Sequence, residues 1–354
     1  MPAQWIRAAA VSLVAALCAM AMSCRIETAA PGSSTNAPPQ QEGAEPSGEL
    51  WVYTSMYRQV LDALEPLLAE RMPKVRVHWY QAGSEKVASR LEAERSAGAV
   101  RADVLLTSDP FLYERLRADG ALTRYASPNS LRIPRSLVEL DAHWVSARLS
   151  TMVLVHRKYT ASPLPRSFAA LTEPAHKAQV AVGDPLTSGT AFTWAVFMAE
   201  RYGPSWFEAL RDNGAVVAGG NAAVLQKVES GEVKVGVLLL ENALAAQRRG
   251  SPVEIIWPED GAVIVPGPVG IFAGSANPAA ARAFVDLLLS PEGQRVIVEQ
   301  GDMHGVDPRL EGPSGQAGVD GLMERSQPWT GELMRAGLER GGEIKQAFSR
   351  AFAR

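Results

Sequence analysis

From Glu49 onward, short runs of apolar and β-branched residues alternate with stretches of helical periodicity. This alternation restricts the chain to parallel sheets covered by helices, because parallel neighbours need a crossover between them. The runs fall at 50–54, 75–80, 102–107, 152–155, 179–182, 233–240 and 263–273. Helix ends are legible between them: Asp109 as N-cap with Pro110 at the first helical position and Gly120 past the last turn, Ser188 with Gly203, and Asn221 with Gly231. Pro66 sits inside the helical segment 56–71, where it removes a backbone hydrogen bond and predicts a kink. After Asp307 the chain reads as loop through Gly318, then returns to a helical pattern over 331–352. The fold class that follows is α/β.

Upstream lies Arg7, an apolar run over 8–22, then Ser23-Cys24, the order of an export signal over 1–23. The run is shorter than the roughly 20 apolar residues that span a bilayer. The stretch Ala21-Met22-Ser23-Cys24 resembles a bacterial lipoprotein box, with Ala21 where Leu is usual. That resemblance implies lipidation of Cys24 and a membrane anchor; ordinary cleavage nearby is the other reading. Residues 24–48 are rich in Pro, Ser, Gly, Ala and Glu and read as a leash with nothing to pack. Removing Arg7 with the signal leaves 34 basic residues against 38 acidic ones, which asks for no nucleic-acid partner. The remaining cysteine, Cys18, lies in the signal, so the mature fold is expected to hold by its core and not by a disulfide. About 300 residues suffice for two domains.

Several strands run straight into helix starts bearing small polar residues: Ser55 after Thr54, Ser84 after Gly83, Ser108 and Asp109 after Thr107, and Ser188-Gly189-Thr190 after Thr187. Ligands of open α/β sheets bind outside the carboxyl ends of strands, so these junctions are expected to line one cleft. In Gly183-Asp184-Pro185-Leu186-Thr187-Ser188-Gly189-Thr190, free backbone N–H groups at a helix start suit an anion, and Gly189 permits close approach. A plain serine cap is the alternative. Glu241-Asn242 ends the strand at 233–240 and offers a carboxylate and an amide to a ligand, or else caps the next helix. Asn221, after a glycine pair, is open to the same two readings. Arg148 supplies a planar charged fork for phosphate-like oxygens, with Ser150 and Thr151 beside it. The five histidines show no metal-binding spacing, and no nucleophile elbow, phosphate loop, zinc-protease motif or Cys-x-x-Cys occurs. No enzyme and no cofactor is expected; a hydrolase using Ser188 would need a base that the sequence does not place.

In order, Trp51-Val-Tyr-Thr-Ser-Met-Tyr57, the segment 102–109, the segment 184–192, Ala218-Gly-Gly-Asn221 with 229–232, Trp257-Pro-Glu-Asp-Gly261 and 280–294 give a chain that resembles an extracellular solute-binding protein of bacterial ABC importers. The resemblance is to the branch holding ferric-iron, phosphonate and sugar-phosphate receptors. It implies a type 2 periplasmic-binding fold of two lobes, each with a mixed sheet and flanking helices, joined by two crossing strands near 145–155 and 262–270. The lobes would be 49–147 with 268–354, and 148–267. It further implies a periplasmic or cell-surface monomer that shuts on one ligand and is read by a membrane permease. Iron-binding relatives carry adjacent tyrosines where this chain has Glu241-Asn242. A phosphonate such as 2-aminoethylphosphonate, or a phosphate ester, is therefore the leading ligand, with its oxygens on Ser188, Gly189 and Thr190 and its far end near Glu241 and Tyr57. Ferric iron held by Tyr57, Asp109 and Glu241 is the alternative, and a sensor lipoprotein a more distant one.

Overall fold

The computed structural model describes residues 45–353. The export signal, Cys24 and the leash up to residue 44 lie outside the described residues. Among the described residues nine strands form one sheet, eight of them in the order β2-β1-β3-β9-β4-β7-β5-β6 and β8 off that path alongside β4. At one end, β1 (Gly48–Thr54) runs parallel to β2 (Val75–Gln81) and β3 (Val104–Leu106). At the other, β5 (Val180–Gly183) runs parallel to β6 (Val216–Ala218) and β7 (Val235–Leu239). These parallel halves are joined through the antiparallel pair β4 (Trp144–Arg157) and β9 (Val263–Ile271); β8 (Val253–Ile256) pairs with the end of β4. The strands expected to cross near 145–155 and 262–270 are this pair. Because both are long enough to pair in each half, the two mixed sheets share one continuous ladder.

β4 starts eight residues before the 152–155 run that marked it in the sequence. Ser146, Arg148, Ser150 and Thr151 interrupt its apolar pattern, yet every residue from Val145 to His156 is buried. Alternation fails as a strand signal when polar side chains are buried on one face for another purpose. β6 and β8, three and four residues long, were not anticipated at all.

The helices are α1 (Arg58–Arg71), α2 (Ser84–Ser96), α3 (Pro110–Ala118), α4 (Gly189–Tyr202), α5 (Trp206–Asp212), α6 (Asn221–Ser230), α7 (Leu240–Arg248), α8 (Pro278–Leu288), α9 (Pro291–Gly301), α10 (Val319–Glu324), α11 (Gly331–Glu339) and α12 (Gly341–Phe352). Asp109 caps α3 by accepting from Leu112 N at 3.1 Å, and Ser188 caps α4 by accepting from Ala191 N at 3.4 Å. Gly231 ends α6 in the left-handed region at φ 79°, as its sequence position implies. Asn221 is not a cap: it is the first residue of α6, the cap position is Gly220, and its side chain is free for other work. α1 continues through Pro66 to Arg71. The helical pattern over 331–352 is two helices, broken at Arg340.

In the first half, Leu50, Val52, Val104 and Leu106 pack against Leu61, Leu64, Phe284, Leu288 and Ile297 of α1, α8 and α9. In the second, Val180, Val182, Val235 and Val237 pack against Trp194, Phe197 and Phe207. The expectation that all of 268–354 belongs with the first half is corrected at its end. Leu333, Ile344 and Phe348 of α11 and α12 join the second core, with Phe348 standing edge-on to Phe207 at 5.4 Å. Their apolar faces match α4 and α5, whereas α1, α8 and α9 already cover the first half. Among the described residues no helix is long and apolar enough to cross a membrane.

Candidate ligand-binding site

The carboxyl ends of β1, β2, β3, β5, β6 and β7 meet around a cavity of about 240 Å³, with the middle of β4 as its floor. Each strand end delivers the first turn of a helix. α1, α2, α4 and α6 therefore all begin at the cavity wall, and α2 and α6 start behind glycines, Gly83 and Gly220, with no side-chain cap. Each helix start leaves N–H groups without intrahelical partners and a positive dipole end. Several aimed at one volume make a site for negative oxygen atoms.

The wall contains Ser55, Tyr57, Ser84, Ser108, Arg148, Ser150, Ser188, Gly189, Thr190 and Asn221. All ten were marked from the sequence. The halves touch at Gly189, where a Cβ would lie 3.1 Å from Ser84 Cβ and 3.2 Å from the Ser108 carbonyl oxygen. The hydroxyls form a shared net: Ser188 Oγ is 3.1 Å from Thr190 Oγ1, Asn221 Nδ2 donates to Thr190 Oγ1 at 2.9 Å, and Ser108 N donates to Ser84 Oγ at 3.3 Å. Thr187, Gly83, Gly219, Gly220 and Leu239 complete the wall. The glycines and Thr187 stood beside the marked residues in the same junctions; nothing in the sequence distinguished Leu239.

Arg148 is 3% exposed and central. Its Nη1 donates to Ser150 Oγ at 3.0 Å and its Nη2 to Ser108 Oγ at 2.7 Å and to Ser55 Oγ at 3.4 Å. A bulge between Ser146 and Arg148 sets its position, and Gly267 across the ladder makes room, since a Cβ there would sit 2.7 Å from Arg148 Cγ. Burial pushes the guanidinium down from its usual value, but an arginine stays charged in proteins. Among the described residues no carboxylate forms an ion pair with it, and its Nε has no partner. Buried Glu241 acts on it only at a distance; a buried charge with no contacting counter-ion is costly, and a bound anion would relieve that cost.

Four marked residues lie outside the wall. Asp109 is committed to the start of α3, with Arg115 at 3.9 Å. Thr151 is buried with an unpartnered hydroxyl. Asn242 accepts from the Tyr57 hydroxyl at 3.4 Å and so backs the wall without entering it. Glu241 is 2% exposed in the first turn of α7, with Oε1 unpartnered. Burial raises its carboxyl from the usual 4.5 to about 7, against the opposing pull of the Ser150 hydroxyl and of Arg148. The Tyr57 phenol is raised as well, by burial and then by Glu241. Of the three oxygens proposed for iron, Tyr57 alone reaches the cavity. The Glu139, Asp141 and His143 side chains do cluster, but Glu139 accepts from the Asp141 and His143 backbone N–H groups and closes a surface turn.

The Glu241 shift has a measurable sign. A carboxyl whose folded value is raised favours the folded state most when protonated, so its contribution is full below about 4.5 and is lost as pH rises through about 7. Glu241→Gln is therefore expected to flatten the fall in melting temperature of ligand-free protein between about pH 5 and about pH 8. Parallel slopes for the two proteins would mean that Glu241 is ionised throughout.

Residues 50–301 match the family model of bacterial extracellular solute-binding proteins. The chain belongs to that family. A relative described as a putative 2-aminoethylphosphonate-binding periplasmic protein, from Salmonella typhimurium, is 24% identical over 237 residues, covering 64% of this chain and 68% of its own. Iron-bound HitA from Pseudomonas aeruginosa superposes with a TM-score of 0.75 at 18% identity, over 86% of this chain and 99% of that one. AfuA from Actinobacillus pleuropneumoniae, with fructose-6-phosphate bound, gives 0.72 at 21% identity over 85% and 97%. The fold is the type 2 periplasmic-binding fold, and the solute-binding protein is the capture component of an ABC importer.

Proposed function

We propose that this solute-binding protein captures a small oxyanion, a phosphonate or a phosphate ester, by closing its two halves on the cavity around Arg148. The observation that carries the reading is a buried guanidinium with no carboxylate partner, set where four helices begin. A tetrahedral PO₃ group presents several acceptor oxygens in different directions, which suits donors converging from both halves. Ser188, Gly189 and Thr190 would hold it from one side, and Ser55, Ser84 and Ser108 from the other. Ligand contacts made to both halves only when shut would shift the hinge equilibrium toward closure, and the permease would recognise the shut form. The lobes in this reading are 49–147 with α8 and α9, and 148–267 with α11 and α12. Cys24, lipidated, would tether the monomer outside the cell.

2-Aminoethylphosphonate is the first compound to test, supported by the name of the Salmonella relative and by the Tyr57 phenol in the cavity wall. Ferric iron is disfavoured because the cavity offers it a single phenol and no carboxylate. Calorimetry of the mature protein against phosphonates, hexose phosphates and ferric citrate tests the proposal. Tight iron binding with no response to any phosphorus compound would overturn it.

A smaller effect is expected at the anion loop. Aspartate is as good an N-cap as serine, so Ser188→Asp should leave α4 intact while setting a negative charge at the cavity. We expect affinity for the phosphorus ligand to fall about tenfold, the effect of roughly 1.4 kcal/mol of screened repulsion. Unchanged affinity would remove Ser188 from the binding surface.

A further inference from the structure

Helix α3 serves two cores. Leu112, Tyr113 and Leu116 pack with Tyr53 and Leu105 of the first half. Phe111, one residue earlier and fully buried, packs instead among Phe192, Trp194 and Leu333 in the second core. Its ring stands edge-on to Phe192 at 5.5 Å and tilts against Trp329 at 5.8 Å. Gly337 of α11 closes this socket, since any Cβ there would overlap the Phe111 ring. Gly341 does the same for Phe192, whose Cζ would lie 2.9 Å from a Cβ. One turn on, Lys345 of α12 reaches Glu85 of α2 at 3.1 Å, with its ammonium 4.4 Å from the Phe192 ring centre. Both side chains of that pair are mostly sheltered, at 28% and 23% exposed.

α11 and α12 pack on α4 and α5 and so travel with the second half, whereas Phe111 and Glu85 leave β3 and β2 and travel with the first. We propose that the C-terminal helix pair is a clasp: it grips Phe111 and Glu85 in the shut state and sets ligand affinity without touching the ligand. The proposal rests on the hinge-closure reading above. None of Phe111, Gly337, Lys345 or Glu85 lines the cavity. Opening withdraws a buried aromatic ring from a fitted socket and parts a sheltered ion pair. The apparent affinity of a ligand for the shut form scales with the fraction of molecules already shut. Burial of one phenylalanine is enough to change that fraction about ten- to hundredfold.

The test uses small-angle scattering of the mature ligand-free protein, then calorimetry with 2-aminoethylphosphonate and glucose 6-phosphate as probes. Phe111→Ala should enlarge the ligand-free radius of gyration and weaken whichever probe binds by about tenfold or more. Lys345→Glu leaves the core untouched and should act in the same direction by about threefold, with the added Glu85→Lys restoring both radius and affinity. An unchanged radius in folded Phe111→Ala and Lys345→Glu proteins overturns the clasp, as does a charge-swapped double variant as open as the single one. The scattering needs no ligand, so it judges the clasp whatever the cavity binds. Failure of wild-type protein to bind any phosphorus compound counts against the proposed function alone.

Discussion

Arg148→Met should abolish useful ligand binding while leaving the protein folded. The guanidinium is buried, hydrogen-bonded to Ser108 and Ser150, and aimed into the cavity. Two charge-assisted hydrogen bonds to an oxyanion, at about 1.5–3 kcal/mol each, correspond to a loss of roughly 100-fold or more in affinity. Methionine fills similar volume without charge. Because a buried ion with no contacting counter-ion costs free energy, which offsets the lost serine hydrogen bonds, the variant is expected to melt no lower than the wild type when ligand is absent. Arg148→Lys keeps the charge but loses the planar fork that spans Ser108 and Ser150, and should fall between the two. Calorimetry and thermal unfolding in parallel check both arms. Affinity within threefold of wild type in Arg148→Met would show that the anchor lies elsewhere.

The second large effect is expected from Gly189→Val. This glycine opens α4, and a Cβ there would meet Ser84 and the Ser108 carbonyl of the opposite half. Its φ is ordinary, so a side chain brings no backbone strain; the only obstacle is the neighbouring half. A lone Cβ at 3.1 and 3.2 Å asks that half to retreat by a few tenths of an ångström, and the two further methyl groups of valine ask for much more. Affinity is expected to drop about 100-fold, because contacts to both halves cannot form together. The helix itself should not suffer, since valine is a better helix residue than glycine. Scattering should find the variant open with or without ligand. A variant that still contracts on ligand addition would show that closure does not bring Gly189 against Ser84.

Both predictions concern residues that were visible as types in the chain, but they differ in how much was visible. Gly189 stood in a junction whose chemistry can be read locally: a strand end, a serine cap and a glycine at a helix start. The sequence reads Asp109 as cap and ligand at once, and the three-dimensional arrangement keeps it at the cap, its Oδ1 on Leu112 N and its Oδ2 toward Arg115, outside the cavity wall. Arg148 could be suspected, but a lone arginine before a short apolar run is most often a surface charge. Its burial depends on β9 lying across β4 and on Gly267 at the contact point, some 119 residues downstream.

What the sequence by itself determined is local: the alternation of strands and helices, the caps at Asp109 and Ser188, the left-handed stop at Gly231, and the polar junctions that face one another across the cavity. Hydrogen bonds within a turn and periodicities of two or 3.6 residues need only near neighbours, so they leave a trace in the order of residues. Tertiary structure alone decided which charges lie within reach of each other, that Glu241 stands behind the wall and not in it, that Phe111 turns away from the rest of α3, and that the last two helices pack on the second half. Each of those outcomes depends on which apolar faces find each other across long loops. Many pairings of such faces bury similar area, and only the assembled shape of both partners selects among them.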